Sequence, residues 1–332
     1  MNIIVPMAGR GSRLRPHTLT VPKPLVPVAG KPIVERLVED LAACAGVPID
    51  NIVFVTGDFG AEVEQQLVAV AARLGATGHI RTQDEPLGTA HAILCGADFL
   101  DGPVVVAFAD TLFRAEFTLD PTADGTLFVR EVEDPSAFGV VVTDASGAIV
   151  DYVEKPSTPV SRLAMIGIYA FRDGARLRRE LERLIAEDIR NGGEYQLPDA
   201  LRAMTQAGLR FATGSVTDWM DCGNKAVTVE TNRRVLELTG GFTDATAELE
   251  DAVVLPPCAI GPGVRIVRSV VGPFVSLGAG TRVVDSRIEN ALVQSKSTVI
   301  EAVVRGAMVG NHVEIRGRAL DASLGDFSTL EP

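Results

Sequence analysis

The sequence predicts an α/β domain built on a largely parallel sheet, followed from about residue 241 by a coiled repeat domain. Two patterns carry that expectation. Up to about residue 115, continuous apolar strands alternate with amphipathic helices. Beyond Gly240-Gly241, small or branched apolar residues recur at steps of five or six. Between the two, residues 126–216 hold more frequent strand-like runs, which predicts a strand-rich lobe on the α/β core.

Each element has a local cause. Residues 2–6 form a first apolar strand that ends in a loop with Gly9 and Gly11. Lys31-Pro32-Ile33 opens a helix with proline in its first turn. Ile33, Val34, Leu37, Val38 and Leu41 then share one face, and Gly46 follows its end. Residues 61–75 repeat the design with Val63, Leu67, Val70 and Leu74. The runs 51–56 and 103–109 are apolar throughout, as strands covered on both faces are. In such sheets ligands sit at the carboxyl ends of strands, where the Gly9 loop and Asp110 both fall. Further strands are expected at 126–132, 139–143, 148–153, 165–171 and 210–215, and helices at 173–191, 198–206 and 225–238. The glycine pair at 240–241 breaks the last helix and divides the chain into domains 1–240 and 241–332.

In the second domain the repeat runs Val254, Ile260, Ile266, Val271, Leu277, Val283, Ile288, Val293, Val299, Val304, Val309, Ile315, with glycine pairs in phase at 261–263 and 278–280. A hexapeptide-type coil turns each step at a corner and points the apolar residue inward. A β-sandwich is the alternative reading.

Composition narrows the function classes. The 332 residues are 46% apolar and only 5% aromatic, enough for two domains with substantial cores. A formal charge of -12 argues against general binding to nucleic acid or anionic membranes. The cations near the N-terminus are then a local site on an acidic body. Cys44, Cys95, Cys222 and Cys258 lie far apart without a Cys-x-x-Cys pair, which fits reduced thiols in a cytosol. The opening strand lacks the pattern of a signal peptide, and no apolar run is long enough to span a bilayer.

The most informative segment is Met7-Ala-Gly-Arg-Gly-Ser-Arg-Leu-Arg-Pro-His-Thr18, followed by Pro22-Lys-Pro-Leu25 and Lys31-Pro-Ile33. Two glycines let main-chain N–H groups approach an anion, and Arg10, Arg13, Arg15, Lys23 and Lys31 can neutralise several phosphate oxygens. The spacing is not that of a P-loop. Leu14 replaces the third glycine of a dinucleotide fingerprint, and 13–31 contains no carboxylate. A polyphosphate ligand is the natural reading.

At this length the run resembles the signature of the sugar-1-phosphate nucleotidylyltransferases, glucose-1-phosphate thymidylyltransferases in particular. The resemblance implies a Rossmann-like, GT-A-like catalytic domain and, for the repeat, a left-handed parallel β-helix. It implies attack by a sugar-1-phosphate oxygen on the α-phosphorus of a nucleoside triphosphate, dTTP or UTP, with release of pyrophosphate. Such a nucleophile is already an anion, so alignment and charge neutralisation are the protein's tasks. Arg13 and Lys23 match the family's catalytic phosphate contacts, and Ala8, Gly9 and Gly11 its phosphate loop. Asp110, and Asp221 in Trp219-Met-Asp-Cys-Gly223, match the carboxylates that hold Mg²⁺. Gln83 and Gly88 resemble the loop that reads a pyrimidine edge. Gly139, Glu154 and Lys155 resemble the sugar-phosphate subsite, with Tyr169 either lining it or sitting in the core. Thr111 stands where the family commonly has asparagine or similar, which bears on a sugar contact.

The base and the sugar stay open between thymidylyl, uridylyl and guanylyl transfer. Two readings of other classes stand beside these: a noncatalytic nucleotide-sugar sensor, and a bifunctional enzyme whose β-helix acts as an acetyltransferase through His312. A coil-corner histidine is the preferred reading of His312. The β-helix is expected to mediate a homo-oligomer, dimer or tetramer, without nucleic-acid or membrane partners.

Overall fold

The computed structural model describes every residue except 10, 116–121, 159, 318 and 332, so Arg10 of the cationic run lies outside the described residues. By internal contacts the chain forms two compact units. One joins Met1–Gly9 to Leu37–Trp219, and the other joins Arg10–Arg36 to Met220–Pro332.

The first unit is organised by a nine-stranded mixed sheet. Val104–Ala107, Asn2–Pro6, Asn51–Thr56 and Thr77–Thr82 lie parallel in that order. Leu163–Phe171 joins this group antiparallel beside Val104–Ala107 and extends it to Gly139–Thr143 and Ile149–Glu154. Gly125–Glu131 also pairs with Leu163–Phe171 and carries Phe211–Ser215 on its far side. The strands expected as a strand-rich lobe on the α/β core thus continue the same sheet. Leu163–Phe171 is long enough to bridge both sets, and apolar periodicity does not reveal strand direction. Ile4, Val53, Val55, Val106, Leu127 and Tyr152 lie in one buried core with Leu177, Leu181 and Leu184 of the helix Gly174–Ala186. Asp173 caps that helix by accepting the Ala175 N–H at 3.0 Å.

Two local expectations change. Lys31–Pro32 does not open the helix but pairs antiparallel with Pro27–Val28, and the helix starts at Ile33. Thr77–Thr82 is a strand that the pattern misses, because only one of its six residues is an aliphatic hydrophobe. The expected helix face is correct: Ile33, Val34, Leu37, Val38 and Leu41 are all buried.

In the second unit the repeat winds into a parallel β-helix with three ladders of six, six and five strands. Cys258 lies beside Val275, Val275 beside Ala291 and Met308 beside Ser323, so one turn takes about 16 residues, three of the hexapeptide-type steps. The neighbours in these ladders are parallel, which rules out the sandwich. The repeat residues from Ile260 to Ile315 fill the coil interior, and Val254 packs partly buried at its edge. Serines continue the stack: Ser286 N donates to Ser269 Oγ and Ala302 N to Ser286 Oγ. His312 takes a positive φ at a corner aligned with Lys296, Gly280 and Gly263, and its ring stacks on Phe327 at 4.8 Å.

The helix Lys225–Thr239 belongs to this unit, capped by Asn224 and closed by Gly240 at φ 77°. Asn232 at its centre is fully buried. Its Oδ1 accepts from Ala29 N at 2.9 Å and Ser276 Oγ at 2.6 Å, and its Nδ2 donates to Phe274 O at 3.4 Å. One side chain thereby ties the segment after the signature loop to the coils.

Candidate active site

Within the first unit, the residues expected to meet the sugar phosphate, together with Asp110, fall on neighbouring elements. Gly139 lies opposite Glu154 in an antiparallel register. A Cβ at Gly139 would stand 2.7 Å from both Glu154 Oε2 and Met165 Cε, so the glycine makes room for the carboxylate. Glu154 and Lys155 are exposed, with Lys155 Nζ 3.4 Å from Glu154 Oε1. Lys155 adopts φ 44° and its N–H donates to Phe138 O at 3.1 Å. Phe138 meets the Trp219 ring at 4.9 Å with an interplanar angle of 67°.

Asp110 follows the strand Val104–Ala107 in a half-buried position. Tyr169 is buried on the strand next to it, edge-on to Phe108 at 6.2 Å. Burial holds the Tyr169 phenol protonated far above its ordinary range, and the negative charges of Glu154 and then Asp110 add to the effect. Asp110, Glu154 and Tyr169 are thus electrostatic neighbours. Thr111 is buried, and Trp219 Nε1 lies 3.5 Å from its Oγ1, so this hydroxyl faces the indole.

The base-loop residues also come together. Gln83 Nε2 donates to Gly88 O at 3.2 Å and lies 3.1 Å from His91 Nδ1. That orientation keeps the amide nitrogen on the loop and leaves Oε1 as the acceptor end. Gly88 has φ 112°, and a Cβ there would stand 2.4 Å from Tyr195 O. The loop is laced to Tyr195 by main-chain bonds from Tyr195 N to Leu87 O and from Ala90 N to Tyr195 O. The helix Thr89–Leu94 is preceded by Gly88 at its N-cap, whereas Thr89 Oγ1 accepts from Leu197 N. Ala8 and Gly9 close the first strand, and a Cβ on Gly9 would meet nothing within 4 Å. That glycine is not required by packing.

In the second unit, Gly11 at φ 57° precedes a short 3₁₀ turn, Ser12–Leu14, that leaves Arg13 exposed. Lys23 starts a second such turn and is only 7% exposed. Thr18 Oγ1 donates to Gly11 O at 2.8 Å, and a Cβ on Gly11 would stand 2.8 Å from Lys23 Cβ. Gly11 and Lys23 are thus packed together. Asp221 lies over Gly223, whose missing side chain gives its carboxylate space: a Cβ would stand 2.9 Å from Oδ2. This is a physical reason for the Asp-x-Gly spacing. Among the described residues no three His, Cys, Asp or Glu side chains form a metal cage, whereas Mg²⁺ needs only one or two carboxylates besides substrate oxygens.

Sequence reasoning passed over Phe138 as a ring beside Trp219, and it passed over His17. The His17 ring is almost wholly buried, with Nε2 3.1 Å from Ser323 Oγ. No periodic signal links positions so far apart in the chain.

The profile of the nucleotidyl transferase family matches residues 2–237. The chain belongs to this family. A glucose-1-phosphate thymidylyltransferase from Streptomyces griseus is 32% identical over 95% of this chain and 93% of its own length. Another, from Streptomyces antibioticus, is 31% identical over 100% of this chain and 99% of its own. A solved structure of a nucleoside-diphosphate-sugar pyrophosphorylase from Vibrio cholerae RC9 superposes with a TM-score of 0.60 at 22% identity. It covers 70% of this chain and 99% of that one, and shares the fold. This nucleotidyl transferase is an enzyme of the sugar-1-phosphate nucleotidylyltransferase class, with a β-helix after its catalytic fold. Among its described residues no helix is long and apolar enough to cross a membrane.

Proposed function

We propose that the enzyme makes dTDP-glucose and pyrophosphate from dTTP and glucose-1-phosphate, with Mg²⁺. The observation that carries this reading is likeness along the whole chain, β-helix included, to two proteins named as glucose-1-phosphate thymidylyltransferases. A phosphate oxygen of the sugar-1-phosphate forms a bond to the α-phosphorus, and the bond from that phosphorus to the pyrophosphate oxygen breaks. No general base is needed, because the nucleophile is already ionised. The work is in-line alignment and charge neutralisation.

In this reading the N–H groups of Ala8, Gly9 and Gly11 cradle the triphosphate. Arg13 neutralises the leaving pyrophosphate, and Lys23 contacts the phosphoryl oxygens. Gln83 offers Oε1 to the N3–H of thymine or uracil, and the Gly88 main chain completes the edge. Cytosine, with an acceptor at that position, leaves Oε1 unpaired, so CTP is disfavoured. Glu154 accepts from sugar hydroxyls, Lys155 holds the sugar phosphate, Gly139 admits the ring and Tyr169 closes the pocket floor. Asp110 and Asp221 are the residues that would hold Mg²⁺, which when bound supplies charge neutralisation at the α-phosphate. Residues 1–240 are the catalytic domain and 241–332 the β-helix, working as a cytosolic homo-oligomer, dimer or tetramer.

UTP is the nearest rival, since thymine and uracil present the same edge. Pyrophosphate release across dTTP, UTP, GTP, CTP and ATP, each with glucose-, N-acetylglucosamine-, mannose- and galactose-1-phosphate, tests the assignment. The highest kcat/KM is expected with dTTP and glucose-1-phosphate. A different best pair replaces the substrates, and no release with any pair from folded enzyme refutes the reading. Asp110→Asn is expected to remove Mg²⁺-dependent turnover; full activity in that variant refutes the metal assignment.

A further inference from the structure

The last coil of the β-helix touches the signature loop at three points. His17 Nε2 lies 3.1 Å from Ser323 Oγ, and Thr20 Oγ1 donates to Asp326 Oδ2 at 2.5 Å. Between them Gly325 accepts Pro16 so closely that a Cβ would stand 2.8 Å from Pro16 Cβ. Residues 16–20 are therefore seated on residues 323–326. All of these residues belong to one compact unit.

The coil side of this seat is held by ladder pairing and side-chain hydrogen bonds. Ser323–Leu324 pairs in register with Met308–Val309. Asp326 Oδ1 accepts from Asn311 N at 2.7 Å, and the Asn311 amide in turn donates to Gln294 Oε1 at 3.0 Å. Gly310 leaves the space Asp326 needs, since a Cβ there would stand 2.4 Å from Oδ1. The loop side leads directly to the phosphate-contacting groups. Thr18, inside the seated segment, holds the Gly11 carbonyl, and Gly11 packs on Lys23. Arg13 lies between Gly11 and Pro16.

A glycine-rich loop alone samples many conformations, and ordering it on substrate weakens binding. A loop already held in its binding shape avoids that loss. We propose that the terminal coil is a positioning element for the phosphate-binding loop, in which Ser323 and Asp326, acting through His17 and Thr20, preset Gly11, Arg13 and Lys23 for the triphosphate. This rests on the reading of that loop as the triphosphate site. It gives the β-helix a part in substrate binding besides assembly.

The test uses Thr20→Val with Ser323→Ala in the full chain, and Thr20→Ser as the conservative control. Hydrogen exchange over residues 11–25 is measured without substrate, together with the KM for each substrate, kcat and Tm. The double variant is expected to exchange faster over 11–25 and to raise the KM for the nucleotide about tenfold. The KM for the sugar phosphate and the Tm stay near wild type, and Thr20→Ser restores the nucleotide KM. Unchanged exchange and unchanged nucleotide KM overturn the positioning role. So does an equal loss for both substrates that tracks a lowered Tm. Loss of the triphosphate reading shows separately, as absence of nucleotide turnover in the wild-type enzyme, whereas the exchange comparison needs no turnover.

Discussion

Acidification should loosen the second unit at His17. Burial lowers the pKa of this imidazole from 6.5 to about 4; the Asp326 carboxylate opposes the shift and the Lys225 ammonium adds to it. Between those values the unfolded chain binds a proton that the folded chain does not, so stability falls as pH drops through the window. The difference amounts to about 3 kcal/mol once pH is below 4, and about 2 kcal/mol of it is already lost at pH 5. Near pH 7 almost none of it is lost. His17→Gln keeps a polar group at the position and removes the titration. Urea unfolding followed by far-UV circular dichroism, at pH 7 and pH 5, compares the two proteins. The wild type is expected to lose about 2 kcal/mol more than the variant over that interval, because the other titrating groups are common to both. Equal losses, or a larger loss in the variant, would refute the burial of a neutral His17.

Gly88→Ala is expected to destabilise the enzyme by about 3 kcal/mol or more in denaturant titration, since φ 112° excludes a Cβ and Tyr195 O already fills its place. Asn232→Ala should cost about 2–4 kcal/mol, because Ala29 N–H and the Ser276 hydroxyl lose a buried acceptor; a change below 0.5 kcal/mol would mean that water replaces the amide. Lys155→Ala should chiefly raise the KM for the sugar phosphate, by about tenfold, in steady-state kinetics. A change confined to the nucleotide KM would move Lys155 to the other substrate. The exposed Lys155–Glu154 pair adds little to stability, so Tm should stay near wild type.

What the sequence made legible follows from how local each signal is. The helix face from Ile33 to Leu41 and the coil interior from Ile260 to Ile315 are periodic, and burial enforces the period residue by residue. The motif glycines were equally legible. Gly88 and Gly11 take positive φ, and Gly139 and Gly223 make room for carboxylates, so their spacing has a steric cause. Less legible features depend on partners remote in the chain. The strands after residue 125 join the main sheet through an antiparallel neighbour, a choice that apolar alternation leaves open. Thr77–Thr82 sits at the sheet edge, beside Asn51–Thr56, where less of each side chain needs to be apolar. His17 and Asn232 are buried polar residues whose partners, Ser323 and Ser276, are set by the winding of the coils. Family resemblance supplied roles for Arg13, Lys23, Asp110 and Asp221, which spacing alone could mark only as chemically suited.

Product identification tests the transfer reaction most directly. Phosphorus NMR of the enzyme with dTTP, glucose-1-phosphate and Mg²⁺ follows both substrates and both products in one sample. A sugar-1-phosphate thymidylyltransferase converts the pair into equal amounts of a dTDP-sugar, with its coupled diphosphate doublets, and pyrophosphate, and added pyrophosphate drives the mixture back. Formation of dTDP and inorganic phosphate with glucose-1-phosphate unconsumed would instead show hydrolysis, and would contradict nucleotidyl transfer to this sugar.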